Sequence, residues 1–543
     1  MDWAEGVSVP MHTAMRLALR VATSIRSRHP NLSMCFFGLY AGMAQDLTVT
    51  SSSDAIVAGE YEDGLVAWAD GRDPGAPVQL SPSPSRVPRR HLLPELGRYT
   101  HLVAGGEERL VGSVAASRGC SHRCRHCPVP VVYQGPVRPV DEAAVIADVD
   151  QPVAAGASHI SFSDPDFLNA PHHSRRVVAA VHRRHPTLTF DATIKVEHIL
   201  RHVDALPELA ESGCAFVVSA FESVSDPILE RLDKGHTAAD ASTAVTALRA
   251  HDIEIRPSWL PFTPWTTAEN LVDLMDFVIV HDLIANVDPV QYSVRLLVPN
   301  GSLLLGEAAL TAHLTDYHAA RLGWMWAHPD PTMDDLQAQI AGVAEAQIDH
   351  ETHRSFEEID VLIRSAAAGP SGRPIQGSVS TGPPGDRAHL SEPWFCCSEP
   401  TEAQLAPSNL WADGLRPRRP SGEAPGVLSR ISSDGGVDRG GLLDGDNDRL
   451  ERRCRQGAGH LLGAHARPLA TECATNTGRR NALLLGHRHD VALRLSLDRE
   501  CRQRVGEHHQ LPGVDPHQHH VRFGGGLRQR PVDHRTWPAG DLG

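Results

Sequence analysis

The stretch GCSHRCRHCPVP, residues 119 to 130, sets Cys120, Cys124 and Cys127 at spacings of three and two intervening residues. Just before it runs RLVGSVAAS, residues 109 to 117, a short apolar segment that reads as a strand. A compact cysteine loop directly after a strand belongs where a parallel sheet carries its chemistry, at the carboxyl ends of the strands. Thiolates are soft ligands suited to iron–sulfur clusters or zinc, and these spacings let three sulfurs surround one centre. Three cysteines are an incomplete set. Either a cubane cluster keeps one iron open, or His122 or His126 completes a closed zinc tetrahedron.

Working outward, residues 111–300 alternate short apolar segments with helical stretches. Strands are expected near RLVGSVAAS, SHISFSD (158–164), TLTFDATI (187–194), CAFVVSAF (214–221), IEIRPSWLPF (253–262) and PVQYSVRLLV (289–298). Helical spacing fills the intervals at 140–155, 171–184, 196–212, 237–251 and 267–281. Strands separated by crossovers imply an α/β fold with a parallel sheet.

Residues 1–110 contain further α/β units. VSVP reads as the end of a buried strand, MHTAMRLALRVATSIRS as a helix, LSMCFFGLY as a second strand, and DAIVAGEYEDGLVAWADG as a strand followed by a helix. These are too few for a complete doubly wound, Rossmann-like domain, which leaves either a remnant or a shortened start. Residues 301–366 read as a helical extension, chiefly TMDDLQAQIAGVAEAQIDHETHRSFEEIDVLIRSAAAG, and 367–410 as a linker beginning GPSGRPIQGSVSTGPPGD. Residues 411–543 hold no Lys, Met or Tyr and show little periodicity; they read as a disordered tail, or as GC-rich DNA translated out of frame.

The formal charge is -15, with 51 basic against 66 acidic side chains, and no cluster of Lys or Arg forms a footprint for nucleic acid. Ten cysteines in 543 residues, no charged-then-apolar leader and no apolar run of spanning length point to a cytoplasmic protein outside the membrane. Lys195 and Lys234 are the only lysines.

The Cys-x3-Cys-x2-Cys loop at Cys120, Cys124 and Cys127 resembles that of the radical S-adenosylmethionine (radical SAM) superfamily. The resemblance covers residues 111–300 and implies a partial (βα)6 TIM-like barrel and a [4Fe-4S] cluster on the three cysteines. It further implies SAM chelated to the unique iron. Reductive cleavage of SAM would give a 5'-deoxyadenosyl radical acting on an unknown substrate, with a one-electron reductant such as a ferredoxin or flavodoxin as partner. One departure is His126, which stands where an aromatic residue commonly precedes the last cysteine. The alternative function is a non-catalytic zinc or iron–sulfur binding protein from a decayed gene.

The same resemblance implies SAM contacts. SFSDPDF offers Asp164 and Asp166 where the family has a glycine-rich segment, although an N-cap with an Asp-Pro turn accounts for either aspartate equally. SAFESVSDPILERLDKGHT offers Glu222 and Ser223, with capping as the other role for the serine, and TIKVEHI offers Lys195. Arg295, in YSVRLLVPNGS, is expected to line the substrate end, whereas Trp259 and Trp265 are read as packing residues.

SVPMHTA, CFFGLYA and AIVAGEYEDGLVA resemble the tail half of a cobalamin-binding domain, but no Asp-x-His-x-x-Gly motif supplies a lower cobalt ligand, so cobalamin binding does not follow. FCCSEPTE, residues 395–402, resembles the tail of the CUAEP/CCAEP radical SAM family, with Ser398 in place of alanine. Cys396 and Cys397 are therefore expected to act catalytically, as hydrogen donor, redox relay or ligand; idle, oxidation-prone thiols are the alternative.

Overall fold

The computed structural model describes residues 4–43, 52–346, 352–368 and 387–392. Four amino-terminal strands, β1 (Ala4–Ser8), β2 (Ser33–Phe37), β3 (Ala55–Gly59) and β4 (Val78–Gln79), form a parallel sheet in chain order. Successive residues of β2 serve opposite faces, as the two-residue period requires. Met34 and Phe36 pack with Met15, Ala18 and Ala22 of helix His12–Arg28, while Cys35 and Phe37 pack with Leu65 of helix Glu62–Ala69. His12, the first residue of its helix, is buried, with Nε2 2.7 Å from the Arg321 carbonyl oxygen.

The second sheet contains β5 (His101–Ala104), β6 (Glu107–Val114), β9 (His159–Phe162), β10 (Thr189–Thr193), β11 (Cys214–Glu222), β12 (Glu254–Trp259) and β15 (His389–Leu390); β7 (Ser117–Arg118) and β8 (Arg138–Pro139) form a small ladder of their own. Its order is β12-β11-β10-β9-β6-β5-β15. Neighbours from β6 to β12 pair in parallel, and β5 is antiparallel to β6.

Helices Glu142–Ala154, Pro171–Arg184, Ala238–Arg249 and Ala268–Val280 follow their strands near the expected positions. The stretch expected as one helix at 196–212 is split into Val196–Arg201, a 3-10 turn and Leu206–Glu211, with Pro207 in the first turn of the second piece, where its missing N–H costs nothing. Ile160, Phe162, Phe190, Ala192, Val217 and Ile255 face these helices. The opposite face carries His159, Ser161 and Asp191: His159 Nε2 lies 3.1 Å from Asp191 Oδ1, and Ser161 Oγ donates to Asp191 Oδ2 at 3.0 Å.

Gly112 on β6 marks a close approach of a helix to the sheet. An added Cβ would sit 2.5 Å from Pro152 Cβ and 2.9 Å from Ile160 Cδ1. Gly112→Val is expected to lower stability by about 1–3 kcal/mol through overpacking, read as a lower urea midpoint; an unchanged midpoint would contradict this packing.

Three expectations are corrected. The sixth barrel strand is not formed: Pro289–Ser293 is a 3-10 helix, and the chain then makes one isolated parallel bridge, Phe262 to Arg295. The reason lies in the carboxyl-terminal helices Pro331–Ala346 and Thr352–Ala368. Tyr292 is buried edge-on against Phe356, and Gln337 Nε2 donates to the Ser293 carbonyl at 2.9 Å, so this segment is held by helices rather than by a ladder. Second, the extension expected to be helical contains an antiparallel hairpin of β13 (Leu314–His318) and β14 (Gly323–Trp326). Third, β15 lies in the expected linker and pairs antiparallel with β5. Residues 411–543 lie outside the described residues. Among the described residues no helix is long and apolar enough to cross a membrane.

Candidate active site

The cysteine loop leaves β6 and is pinned at its base. Asp164, two residues past β9, accepts the Ala116 N–H at 2.9 Å and the Ser117 hydroxyl at 2.5 Å. Burial raises this carboxyl to about 7 against the pull of those hydrogen bonds. β7 pairs antiparallel with β8 and closes the loop. Gly119 takes φ +75° and has its Cα against the Pro136 carbonyl oxygen, a place with no room for a Cβ.

The thiols sit between the two sheets. Cys120 and Cys127 pack against the amino-terminal core, joined by Val129 and Val132 of helix Val129–Tyr133. Asn169 Nδ2 donates to Cys120 Sγ at 3.4 Å, and Asn169 Oδ1 accepts the Ser121 N–H at 3.2 Å and hydroxyl at 2.8 Å. The Cys127 N–H reaches the Cys124 carbonyl at 3.1 Å, and the Arg125 N–H reaches the Leu232 carbonyl at 2.9 Å. Burial pushes the thiols of Cys120 and Cys127 up, the direction expected of ligands held out of water before a cation arrives.

Each nearby histidine has a partner other than a thiol on a ring nitrogen. His126 Nε2 lies 3.1 Å from Glu222 Oε1, and His122 Nδ1 lies 3.0 Å from Lys195 Nζ. Zinc–sulfur bonds of about 2.3 Å would draw tetrahedral sulfur ligands to roughly 3.8 Å from one another. Among the described residues, the one group of three ligating side chains with all ligand atoms within 4.8 Å is His122, Asp166 and His198, which contains no thiol. A cubane, by contrast, takes each thiolate on a separate iron corner. The donor set of three soft sulfurs with no recruited histidine fits that cluster better than a closed zinc site.

Glu222 ends β11 at φ +65°, a left-handed conformation uncommon for a residue with a side chain. Its carboxylate is buried, 3.2 Å from Lys234 Nζ as well as 3.1 Å from His126. Burial opposes its charge, but Lys234 and His126 outweigh burial and hold it down to about 2. Lys234 is shifted up: burial works against the ammonium, and Glu222, then Cys124, overcome it.

The other expected contacts divide. Lys195 immediately precedes helix Val196–Arg201, with Nζ 3.3 Å from Glu197 Oε2. Burial, then Lys195, lowers His122 to about 4, so its ring is neutral. Asp166 Oδ1 accepts the Leu168 N–H at 3.2 Å, while Oδ2 lies 2.7 Å from His198 Nδ1. Ser223 Oγ accepts the Ser225 N–H at 3.1 Å, within the turn before the next helix.

Arg295 is not brought to this group. It donates to Asp334 Oδ1 at 2.5 Å and to the Trp326 carbonyl at 2.6 Å and stacks 3.6 Å over Trp326, tying hairpin and helix together. Trp259 is buried with Phe221 and Phe277, and Trp265 donates to the Ala309 carbonyl at 3.1 Å, as packing roles require. Cys396 and Cys397 lie outside the described residues.

Asn169, His198 and the pairing of Lys234 were not anticipated. Each follows the end of a strand of the second sheet, and Lys234 is in addition one of only two lysines. A small pocket beside the loop is lined by Tyr40, His126, Leu260, Leu296 and Leu297.

Residues 114–278 match the model of the radical SAM superfamily. The chain carries a radical SAM domain there, an enzyme domain whose particular reaction the match leaves unspecified. No curated protein matches the chain in sequence. Similar solved structures include the cobalamin-dependent S-adenosylmethionine radical enzyme OxsB with aqua-cobalamin bound, at 14% identity and TM-score 0.44, covering 62% of this chain and 57% of that one. The radical S-adenosylmethionine methyltransferase TsrM from Kitasatospora setae is similar at 17% identity and TM-score 0.41, covering 52% and 60%. The chain thus spans less than two thirds of the length of either protein.

Proposed function

We propose that this protein is a radical SAM enzyme whose [4Fe-4S] cluster is held by Cys120, Cys124 and Cys127 and whose fourth iron position takes SAM. The observation that carries this reading is a three-thiol loop, pinned at the carboxyl end of β6, whose neighbouring histidines each have a partner other than a thiol, His126 Nε2 on Glu222 and His122 Nδ1 on Lys195. When bound, the cluster supplies the electron that cleaves SAM to the 5'-deoxyadenosyl radical. The chain's own residues prepare the place. Asp164 fixes the loop base, Asn169 donates to the Cys120 sulfur, and the Glu222–Lys234 pair brings one ammonium beneath Cys124 and Cys127.

Lys195, Glu222 and Ser223 follow or end neighbouring strands on the same side of the sheet and are proposed to face SAM, as is Asp166 in the family resemblance. Arg295 is left out because its donors already hold the carboxyl-terminal hairpin. The electron comes from a ferredoxin- or flavodoxin-like donor in the cytoplasm. The Cys-Cys-Ser-Glu-Pro motif supports placement in the CUAEP/CCAEP family, with Cys396 and Cys397 assisting the radical step. Cobalamin is not part of the proposal. No lower-ligand motif is present.

The test is anaerobic reconstitution of the full chain with iron and sulfide, followed by a reductant and SAM. Formation of 5'-deoxyadenosine is expected. Its absence from protein with a full cluster content would overturn the proposal.

A further inference from the structure

His122 projects from the cysteine loop away from the thiols, toward two side chains set by other strands. His198 lies in the helix after β10, and Asp166 lies in the turn after β9. The distances are 2.7 Å from His198 Nδ1 to Asp166 Oδ2 and 3.6 Å from His122 Nε2 to Asp166 Oδ2, and one ligand atom from each residue falls within 4.8 Å of the other two. Asp166 is 2% exposed and His198 4%.

Hydrogen bonding does not account for this contact. Asp166 Oδ2 and His198 Nδ1 lie 2.7 Å apart as an ion pair, yet both are buried and neither makes a hydrogen bond. If Lys195 donates to His122 Nδ1, the hydrogen on His122 Nε2 faces His198 Nε2 at 3.2 Å, and Oδ2 still lacks a properly aligned donor. If instead His122 Nδ1 carries the hydrogen, Glu197 Oε2 lies 3.5 Å away as its acceptor, and Nε2 is free to bind a cation. A buried carboxylate oxygen without a hydrogen bond costs free energy that a cation between these atoms would recover.

We propose that His122 Nε2, His198 Nδ1 and Asp166 Oδ2 form a second metal site, separate from the thiols, for one divalent first-row transition ion. Two imidazoles and one carboxylate at about 2.1 Å from a metal lie roughly 3.0 Å apart in octahedral and 3.4 Å in tetrahedral arrangements, and 2.7 and 3.6 Å bracket those values. This donor set with open positions suits Fe²⁺, Co²⁺ or Zn²⁺. His122 is the most exposed of the three, so the open positions lie on its side. Glu197 is the outer carboxylate that orients His122, and on metal binding Lys195 gives up His122 Nδ1 and keeps its salt bridge to Glu197 at 3.3 Å. The site goes beyond the SAM reading and withdraws Asp166 from it, and it stands whether or not the cysteines hold a cluster.

The test is a zinc titration of the full chain after cluster reconstitution and removal of loose metal by a chelator, followed by calorimetry and metal analysis. One zinc per chain beyond the cluster iron is expected. Zinc should be lost in Asp166→Asn, which keeps the Oδ1 acceptor for the Leu168 N–H, and in His198→Gln, with iron content unchanged in both. Glu197→Gln should weaken zinc about 10- to 100-fold. Absence of stoichiometric zinc, or equal binding in Asp166→Asn and His198→Gln, would overturn the proposal. If the cluster does not form, the chain carrying Cys120, Cys124 and Cys127 all as alanine is titrated with Co²⁺. Visible bands without thiolate-to-cobalt charge transfer, and lost with Asp166→Asn, support the site; no bands count against it.

Discussion

Changing any one of Cys120, Cys124 and Cys127 to alanine is expected to abolish 5'-deoxyadenosine formation, down to the level of protein never given iron and sulfide. The physical reason is the coordination count. Three thiolates hold three corners of a cubane and leave one for SAM; two leave a second corner open, and the cluster is lost to solvent or chelator. The measurement is iron and sulfide content beside product yield in each variant. His126→Gln is the contrasting case: its ring faces Glu222 at 3.1 Å rather than the sulfurs, so iron and sulfide remain. A pattern in which His126→Gln loses the metal and one of the alanine variants keeps it would instead indicate a Cys-and-His zinc site.

The largest effect on folding is expected from Lys234→Met. Glu222 and Lys234 are a buried pair at 3.2 Å, and removing one partner of such a pair costs about 3–5 kcal/mol because the other charge stays buried. Lys234→Met should therefore lower the urea midpoint well beyond the effect at Gly112, and adding Glu222→Gln should recover part of the loss. No recovery in the double variant would mean that the two charges are not coupled.

The acid response follows from the same pair. Glu222 is held at about 2, below its ordinary 4.5, so the folded state binds its proton less readily than the unfolded chain does. Its stabilising contribution is present above pH 4.5 and fades as the pH falls toward 2. Without Lys234 the carboxyl's value rises, so acid unfolding begins at higher pH.

Much of the sheet was legible because its strands are short apolar runs and its helices keep a 3.6-residue period. The cysteine loop was legible because soft ligands at fixed spacing have few other uses. What the sequence withheld is tertiary. PVQYSVRLLV has the composition of a strand, yet Tyr292 finds Phe356 and Ser293 finds Gln337, and those partners lie more than forty residues away. Arg295 read as a site residue because it lies in a strand-like run; in fact it is bound to Asp334 and Trp326. His198 is one histidine in a chain of 32, and only the meeting of the turns after β9 and β10 sets it beside Asp166. Lys234, one of only two lysines, carried the stronger hint, since a rare residue in an arginine-rich chain is worth asking about.

β15 has a bearing on how the chain can be handled. Pairing of His389 and Leu390 with Val103 and Leu102 covers the outer rim of β5, and Ala388 and Leu390 roof an apolar patch of Leu102, Val111, Phe216 and Val218. A chain shortened before Arg387 would present that rim as bare backbone donors and acceptors beside exposed apolar side chains, a combination that invites self-association. Any shortened chain must therefore keep residues through Glu392, and one meant to test the radical step must also keep Cys396 and Cys397.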